Sequence, residues 1–320
     1  MRLGRHLVAL CLVLTLGACG SLSREAFTER DLTSLAPQGL NGLRFNASDA
    51  VAASAMAEGM TARRDAGDHL DVLAISGGGA NGAYGAGVLA GWSERGGRPT
   101  FELVTGVSTG ALIAPFAFLG PRWDSALREA YTNGAASRIV RADWSALLSS
   151  PGLYRTDALR ALVEDNTSLA MLDEIAAEHR KGRRLLVATT NLDTQETVIW
   201  NMGAIALKGD RQALKLFQDV LVASSSIPGI FPPTLIEVGG RNRELAEMHA
   251  DGGVITPFFV APEALSWAGP QHVEAPSADI YVIVNGKIGT EFGFTKGRSM
   301  AILARSFDAG TKAQLRTQLA

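Results

Sequence analysis

The chain of 320 residues is long enough to bury a large core and suits one sizeable domain behind a short leader. Its hydrophobic content of 47% and charged content of 19% are ordinary for a globular α/β protein. The formal net charge is −2 and no long basic run occurs, so the composition gives no support to a nucleic-acid partner.

The first 18 residues have the layout of a bacterial export signal. Arg2 and Arg5 precede an apolar run, Leu7 to Leu16, that is too short for a comfortable transmembrane helix. The end of the run, LGAC, resembles the lipobox of bacterial lipoproteins. That resemblance implies cleavage before Cys19 and acylation of this cysteine, which would attach the protein to a membrane. An ordinary secretory peptide with an incidental cysteine is the alternative.

The cysteine positions also bear on location and on metal binding. Both cysteines, Cys11 and Cys19, lie in the first twenty residues, so the rest of the chain can form no internal disulfide and no cysteine metal site. Gly20 rather than aspartate follows Cys19, which favours the outer membrane and the periplasmic side of the bacterial cell envelope. We expect no metal and no cofactor. The sequence gives no indication of the oligomeric state.

Residues 19–70 are rich in alanine, serine and charged side chains, and we interpret them as a tether followed by a surface helix at about 47–64. The main domain is predicted over 71–320. Its strands are predicted at 71–76, 101–105, 183–192, 196–202, 234–238, 244–253 and 278–286. Its helices are predicted at 83–95, 111–119, 125–131, 156–164, 172–180, 211–223 and 296–319. Strands that alternate with helices predict an α/β fold with a largely parallel sheet covered on both faces.

A glycine-rich loop, Gly77-Gly78-Gly79-Ala80-Asn81-Gly82, follows the first predicted strand and precedes a helix. It fits the G-x-G-x-x-G pattern of dinucleotide sites, which also need an acidic residue at the end of the second strand. Glu102 has the required sequence distance but stands at the start of that strand, so an NAD site is disfavoured. Backbone N–H groups in such a loop can instead bind a phosphate or a developing oxyanion. A loop that is glycine-rich only for tight packing is the alternative.

The second predicted strand ends in Gly106-Val107-Ser108-Thr109-Gly110, and an apolar helix follows. A serine between glycines on a strand-to-helix turn is the arrangement that exposes a nucleophile at a strained corner. A serine hydroxyl also needs a base. Of the five histidines, His6 lies in the leader and none of the others (His69, His179, His249, His272) stands in a recognisable histidine-base motif. The charged neighbours of His179 predict that it lies on a solvated face.

Asp251 is a stronger candidate for the base. It stands at the end of a predicted strand and is followed by Gly252 and Gly253, which permit close approach of other chain segments. Burial can raise the pKa of a carboxylate enough for it to accept a serine proton. An Asx turn beside two glycines is the alternative interpretation.

Four blocks occur in the order found in the patatin-like phospholipase family, and the chain resembles that family over about 71–259. The blocks are the loop 77–82, GVSTG at 106–110, the A-S-x-x-x-P block from Ala223 to Pro228 with Phe231-Pro232 after it, and Asp-Gly-Gly at 251–253. The resemblance implies a three-layer α/β/α fold with a mainly parallel central sheet. It also implies hydrolysis of acyl esters in phospholipids or other lipids, without a metal or a histidine.

The resemblance assigns Ser108 as nucleophile, Asp251 as general base and the backbone N–H groups of Gly78, Gly79 and Ala80, with Gly77 beside them, as the oxyanion hole. Two positions depart from the family pattern. Asn81 stands where the family usually has arginine or lysine, and Ser76 stands where many members have aspartate. These departures indicate a neutral or altered head-group preference, or a lower activity.

Two other functions remain open from the sequence. One is a Ser–His–Asp esterase or peptidase that uses His249 or His272 as base. The other is a lipoprotein without catalysis that keeps the fold to bind lipid. Apolar residues that follow the four blocks could line an acyl pocket or belong to the ordinary core; they are Phe116, Phe118, Leu119, Ile230, Phe231, Phe258 and Phe259.

Overall fold

The computed structural model describes residues 22–31, 40–61, 69–132, 157–239, 245–261, 277–297 and 299–320. The predicted export signal, Cys19 and His272 lie outside these ranges. The strands are β1 Arg44–Asn46, β2 Leu70–Ile75, β3 Leu103–Val107, β4 Arg184–Asn191, β5 Glu196–Asn201, β6 Thr234–Glu237, β7 Ala246–Asp251 and β8 Ala278–Ile283. The helices are α1 Ala50–Thr61, α2 Gly82–Arg95, α3 Thr109–Leu119, α4 Asp124–Thr132, α5 Asp157–Asn166, α6 Leu169–Arg180, α7 Met202–Ala206, α8 Arg211–Ser224 and α9 Ser299–Leu319.

All eight strands form one sheet. Six follow the order β1-β5-β4-β3-β2-β8, and β7 pairs with both β4 and β6. The central neighbours β8, β2, β3 and β4 are parallel, whereas β5 and β7 run opposite to the other six strands. The predicted α/β fold with a mostly parallel sheet is therefore confirmed.

Helices and loops cover both faces of the sheet, as alternating side chains on each strand require. Leu73, Val104 and Val187 face one side and pack in the main core cluster with residues of α2 to α8. The opposite face is covered by segment 258–260, by Met56 of α1 and by Leu315 of α9. These two covers and the sheet make the three layers.

The edge of β4 that accepts β3 also accepts β7. β3 pairs with β4 in parallel up to Val107 opposite Ala188. From the next residue onward the same edge is occupied by the antiparallel β7, whose last residue, Asp251, lies opposite Thr189. The carboxyl ends of β3 and β7 therefore meet head to head, and this junction positions the residues that follow β3.

The segment before residue 71 contributes to the sheet and the core. The expected surface helix forms as α1, and β1 pairs with β5 ahead of it. Leu40 and Leu43 are buried in the main core cluster. The folded unit therefore includes residues that the sequence places in a tether. The expected tail helix forms as α9. Among the described helices, none combines the length and apolar character that crossing a bilayer requires.

Candidate active site

Ser108 stands at a strained turn between β3 and α3. Its φ of 56 and ψ of −127 lie in a region that non-glycine residues rarely adopt. The flanking glycines are needed because backbone passes against them. A Cβ on Gly106 would lie 2.6 Å from the Gly110 carbonyl oxygen, and one on Gly110 would collide with the carbonyl oxygen of Ile75. The GVSTG pattern therefore forms the predicted corner.

Asp251, at the end of β7, is the hydrogen-bond partner of Ser108. The serine Oγ donates to Asp251 Oδ2 over 2.6 Å, and the backbone N–H of Gly253 donates to Oδ1 over 2.7 Å. Gly252 packs against the junction of β3 and β4, since a Cβ there would lie 2.5 Å from the Ala188 carbonyl oxygen. Both side chains are buried, with Ser108 5% and Asp251 1% exposed.

The protonation of Asp251 is set by its burial. Burial raises the pKa of this carboxyl from 3.8 to about 7, and the hydrogen bonds from Ser108 and Gly253 only partly oppose that rise. A carboxylate with a pKa near neutrality is a far stronger base than an ordinary aspartate. The pair therefore has the geometry and the basicity for transfer of the serine proton.

The A-S-x-x-x-P block holds both members of this pair in place. Ser224, the last residue of α8, accepts the backbone N–H of Ser108 at 3.0 Å and donates to the Ala188 carbonyl at 2.7 Å. The Ser226 carbonyl accepts the backbone N–H of Asp251 at 2.9 Å. The sequence identified this block only through its resemblance, and the structure gives it a physical role. It ties α8 to the junction of β3 and β7.

The glycine loop lies directly beside Ser108. A Cβ on Gly77 would lie 3.1 Å from the Cβ of Ser108, and one on Gly78 would lie 2.5 Å from the Asn285 carbonyl oxygen. A side chain on Gly82 would collide with the Thr109 hydroxyl. Tight packing therefore explains several of these glycines. It does not explain Gly79, which has φ +56 and open space around its Cβ position.

The loop presents backbone donors, although not from every residue named by the sequence. The N–H of Gly77 donates to the Pro257 carbonyl at 3.1 Å and is thus already engaged. Within the described part of the chain, no hydrogen bond uses the N–H of Gly78, Gly79 or Ala80. These three groups precede α2, whose N-terminus adds a favourable potential for negative charge.

Asn285 fixes the start of this loop, and the sequence did not single it out. The residue is 2% exposed and its backbone N–H donates to Ser76 Oγ at 2.9 Å. Its amide Nδ2 donates to the Ser76 carbonyl at 2.8 Å, and its Oδ1 accepts the Gly85 N–H at 3.0 Å. Ser76 is therefore buried and is held by two hydrogen bonds from Asn285. The only signal in the sequence was a Val-Asn-Gly turn after a strand, which is common at surfaces.

A cavity of about 420 Å³ opens beside the pair, with Ser108, Asp251 and Gly77 to Gly79 in its wall. The opposite wall comes from α9 and from the segment before it, through Lys287, Glu291, Phe307, Lys312 and Leu315. Ile230 also lines the cavity, as expected. The other residues expected near an acyl pocket lie in the core instead. These are Phe116, Phe118, Leu119, Phe231, Phe258 and Phe259, each no more than 8% exposed.

His249 is buried two residues before Asp251, but its ring forms hydrogen bonds with Thr189 and Glu247 rather than with Ser108. The Thr189 hydroxyl accepts the Trp200 indole N–H at 2.8 Å and therefore directs its own hydrogen to His249 Nδ1, 2.9 Å away. His249 Nε2 donates to Glu247 Oε2 at 3.0 Å. Burial lowers the pKa of His249, which favours the neutral imidazole. Both ring nitrogens are engaged in these hydrogen bonds.

The remaining described histidines form no hydrogen bond with the Ser108 hydroxyl either. His179 is 9% exposed and packs against Gly203 of α7, so the prediction of a solvated face was wrong. Charged neighbours in sequence do not determine which face of a helix is covered. His69 forms a side-chain hydrogen bond with Ser277. It also lies with Asp71 and Asp279 in a group whose side-chain spacing could hold a metal ion. That group lies at the amino ends of β2 and β8, away from the carboxyl ends where Ser108 stands.

Glu102 stands immediately before β3 and accepts the Asp71 N–H at 2.7 Å. An acidic residue at the amino end of a parallel strand cannot hold a ribose at the carboxyl end, so the geometry counts against a dinucleotide site.

Comparisons with known proteins identify the family of the chain. The family model of the patatin-like phospholipases matches residues 73–262. Among solved structures, the chain is similar to VipD from Legionella pneumophila, with a TM-score of 0.42 and 15% sequence identity, over 68% of this chain and 50% of that chain. The chain thus spans about half the length of that structure. The comparison with curated proteins found no match. Because the family match covers more than half of the chain, the chain belongs to the patatin-like phospholipase family.

Proposed function

We propose that the chain is a lipid acyl hydrolase that cleaves acyl ester bonds with Ser108 as nucleophile and Asp251 as general base. The observation that carries the proposal is the 2.6 Å hydrogen bond between Ser108 Oγ and Asp251 Oδ2 in the wall of a cavity. Membership of the patatin-like phospholipase family supports lipid acyl hydrolysis in general terms.

The reaction begins with transfer of the Ser108 proton to Asp251 Oδ2 while the serine oxygen attacks the acyl carbonyl carbon. The carbonyl oxygen becomes an oxyanion, which accepts hydrogen bonds from the N–H groups of Gly78, Gly79 and Ala80. The tetrahedral intermediate collapses, and the leaving alcohol takes the proton from Asp251. A water molecule then attacks the acyl-serine while Asp251 accepts its proton. The second tetrahedral intermediate expels the oxygen of Ser108, which takes the proton from Asp251, and the carboxylic acid is released.

Two features favour this mechanism over the Ser–His–Asp alternative. The hydroxyl of Ser108 donates to a carboxylate directly, without an imidazole between them. His249 has both ring nitrogens in hydrogen bonds with Thr189 and Glu247. His272 lies outside the described residues, so its role as a base is tested by substitution.

A catalytic role also accounts for features that a passive lipid-binding protein does not need. Ser108 has an unfavourable φ of 56, and Asp251 is a carboxyl whose pKa burial raises to about 7. Each feature lowers stability, and together they activate one hydroxyl. Strain concentrated at a single reactive pair is the pattern expected of a catalyst.

We also propose that acylated Cys19 attaches the chain to the bacterial cell envelope, with the hydrolase on the periplasmic side. The support is the LGAC sequence after a short apolar run. Acyl chains on one cysteine bring many buried CH₂ groups, each worth about 0.8 kcal/mol of membrane affinity. Membrane lipids would then be the substrate within reach.

The first prediction concerns the two reacting side chains. Ser108→Ala and Asp251→Asn should each lower hydrolysis of a soluble short-chain ester by roughly a thousandfold or more, because nucleophile or base is lost. Ser225→Ala is the matched control, since its hydroxyl has no partner among the described residues and should leave turnover unchanged. Wild-type rates in Asp251→Asn, or complete loss in His249→Gln or His272→Ala, would refute the Ser–Asp mechanism.

The second prediction concerns the pH dependence of turnover. Asp251 must be ionised to accept the serine proton, and its pKa is about 7. The kcat/KM for a soluble ester should therefore rise with pH and level off above about pH 7. Initial rates across the neutral range, with a substrate whose reporter group does not titrate there, provide the measurement. A profile that is flat across neutrality would show that Asp251 is not the titrating base.

The third prediction concerns stability, where the same pKa acts in the opposite direction. The pKa of Asp251 is higher in the folded protein, about 7, than its ordinary 3.8, so ionisation opposes folding. The protonated Asp251 carboxyl therefore imposes no cost on the folded state below about pH 4. As the pH rises through 7, ionisation lowers the free energy of unfolding by a total of roughly 4 kcal/mol. Asparagine cannot ionise, so Asp251→Asn should gain stability over wild type, and gain more at pH 8 than at pH 5.

Urea unfolding at the two pH values measures this difference. For the control Ser225→Ala, the difference in unfolding free energy from wild type should be the same at pH 5 and at pH 8. An Asp251→Asn advantage that is equal at pH 5 and pH 8 would contradict the assigned titration.

The fourth prediction concerns attachment. Cys19→Ala should move the protein from the membrane fraction to the soluble fraction, because no acyl chain can then be added. Cys11→Ala is the matched control and should remain with the membrane. Tight membrane association of the Cys19→Ala form would point to another mode of attachment.

A further inference from the structure

The segment 286–297, between β8 and α9, places two phenylalanines in water. Phe292 is 102% exposed and Phe294 is 89% exposed. Large aromatic side chains are rarely left fully in solvent without a partner, because each loses the free energy of burying its ring. Exposed apolar side chains also occur at Ile288 and, in the first turns of α9, at Ile302 and Leu303.

The backbone of this segment is braced against α9. The Glu291 carboxylate accepts hydrogen bonds from Lys287 and from Lys312, the latter at 3.2 Å, and Arg305 donates to the Glu291 carbonyl. Arg316 donates to the Ile288 carbonyl at 3.0 Å. The two phenylalanines are therefore exposed directly after a chain segment that is fixed to α9 up to Glu291.

This segment also forms part of the rim of the cavity that contains Ser108 and Asp251. Gly286, Lys287 and Glu291 all line that cavity, and Phe292 is the next residue after Glu291. A surface that binds Phe292 and Phe294 would thus lie at the entrance to the reacting pair. We call Lys287, Ile288, Phe292, Phe294 and Lys296 the rim surface.

The charge of the region identifies the partner. Residues 286–320 contain six basic and two acidic side chains, although the whole chain has a net charge of −2. An excess of positive charge in the segment that carries the exposed aromatic rings matches the interface of an anionic bilayer, where lysines meet phosphates and rings enter the acyl boundary. A protein partner would not require the docking surface to border a cavity that takes lipid.

We propose that the rim surface docks onto an anionic phospholipid bilayer and brings the cavity entrance to the membrane. This inference rests on the proposed function for the identity of the substrate. Its physical basis is the exposed pair of phenylalanines that follows the braced residues at the cavity rim. Docking through this surface is separate from attachment by Cys19, because it orients the active site rather than holding the protein near the membrane.

The test uses an environment-sensitive fluorophore (NBD) attached at a single thiol. The background is the full chain with Cys11→Ala, Cys19→Ala and Ser108→Ala, which removes both native thiols, acylation and turnover. Phe292→Cys carries the probe at the rim surface. Val51→Cys is the matched control, since Val51 is 82% exposed and lies at the start of α1, next to the opposite edge strand of the sheet.

Vesicles of phosphatidylcholine with a minor fraction of phosphatidylglycerol are the probe membrane. At position 292 we expect the emission to shift to the blue and rise several-fold, and a spin-labelled lipid should quench it. The probe at position 51 should not respond, and high salt should weaken the response at 292. No response at 292, or equal responses at both positions, would overturn the proposal, the second result by showing non-specific adhesion.

Turnover separates this inference from the proposed hydrolase activity. In the form with Ser108 intact, Phe292→Ser with Phe294→Ser should lower the ratio of vesicle hydrolysis to soluble-ester hydrolysis by about tenfold, with Val51→Ser as control. An unchanged ratio would contradict docking at the rim surface. If wild type hydrolyses neither substrate, the proposed function fails, while the fluorescence experiment still decides whether the surface binds lipid.

Discussion

The site depends on the shared edge of β4. β3 occupies this edge up to Ala188 and β7 occupies it from Thr189, so the ends of the two strands meet. The hydrogen bond between Ser108 and Asp251 follows from that meeting, because each residue stands at the end of its strand. The register is decisive. A slip of β7 by one residue would turn the Asp251 side chain to the other face of the sheet.

The surrounding contacts offset the cost of this arrangement. Ser108 has a φ that non-glycine residues avoid, and Asp251 is a buried acid with no cation among its described hydrogen-bond partners. Ser224 and Ser226 hold the two backbones, and Gly253 holds the second carboxylate oxygen. Such buried contacts maintain a geometry that the isolated turn would not adopt, which is how folded proteins keep strained reactive sites.

The parts predicted correctly from the sequence are those in which local geometry dictates residue type. Gly106 and Gly110 are required because other backbone segments pass close to them, and the sequence could predict the turn around Ser108 for that reason. Asn285 and the α9 wall were not predicted, because their roles arise from contacts between segments far apart in the chain. The same holds for β1, whose three residues are too short to show a strand pattern before they pair with β5.

The family resemblance and the cavity cover different parts of the chain. The family match ends at residue 262, and it includes Ser108, Asp251 and the glycine loop. The opposite wall of the cavity begins at Gly286 and continues along α9 to Leu315. In the proposed reaction the first group would act at the ester bond, whereas the second would meet the rest of the substrate. Asn81 removes a positive charge from the loop, and Lys287 and Lys312 supply two across the cavity, although both contact Glu291. For the proposed reaction we therefore expect the C-terminal segment, which lines the cavity opposite Ser108, to contribute to head-group preference.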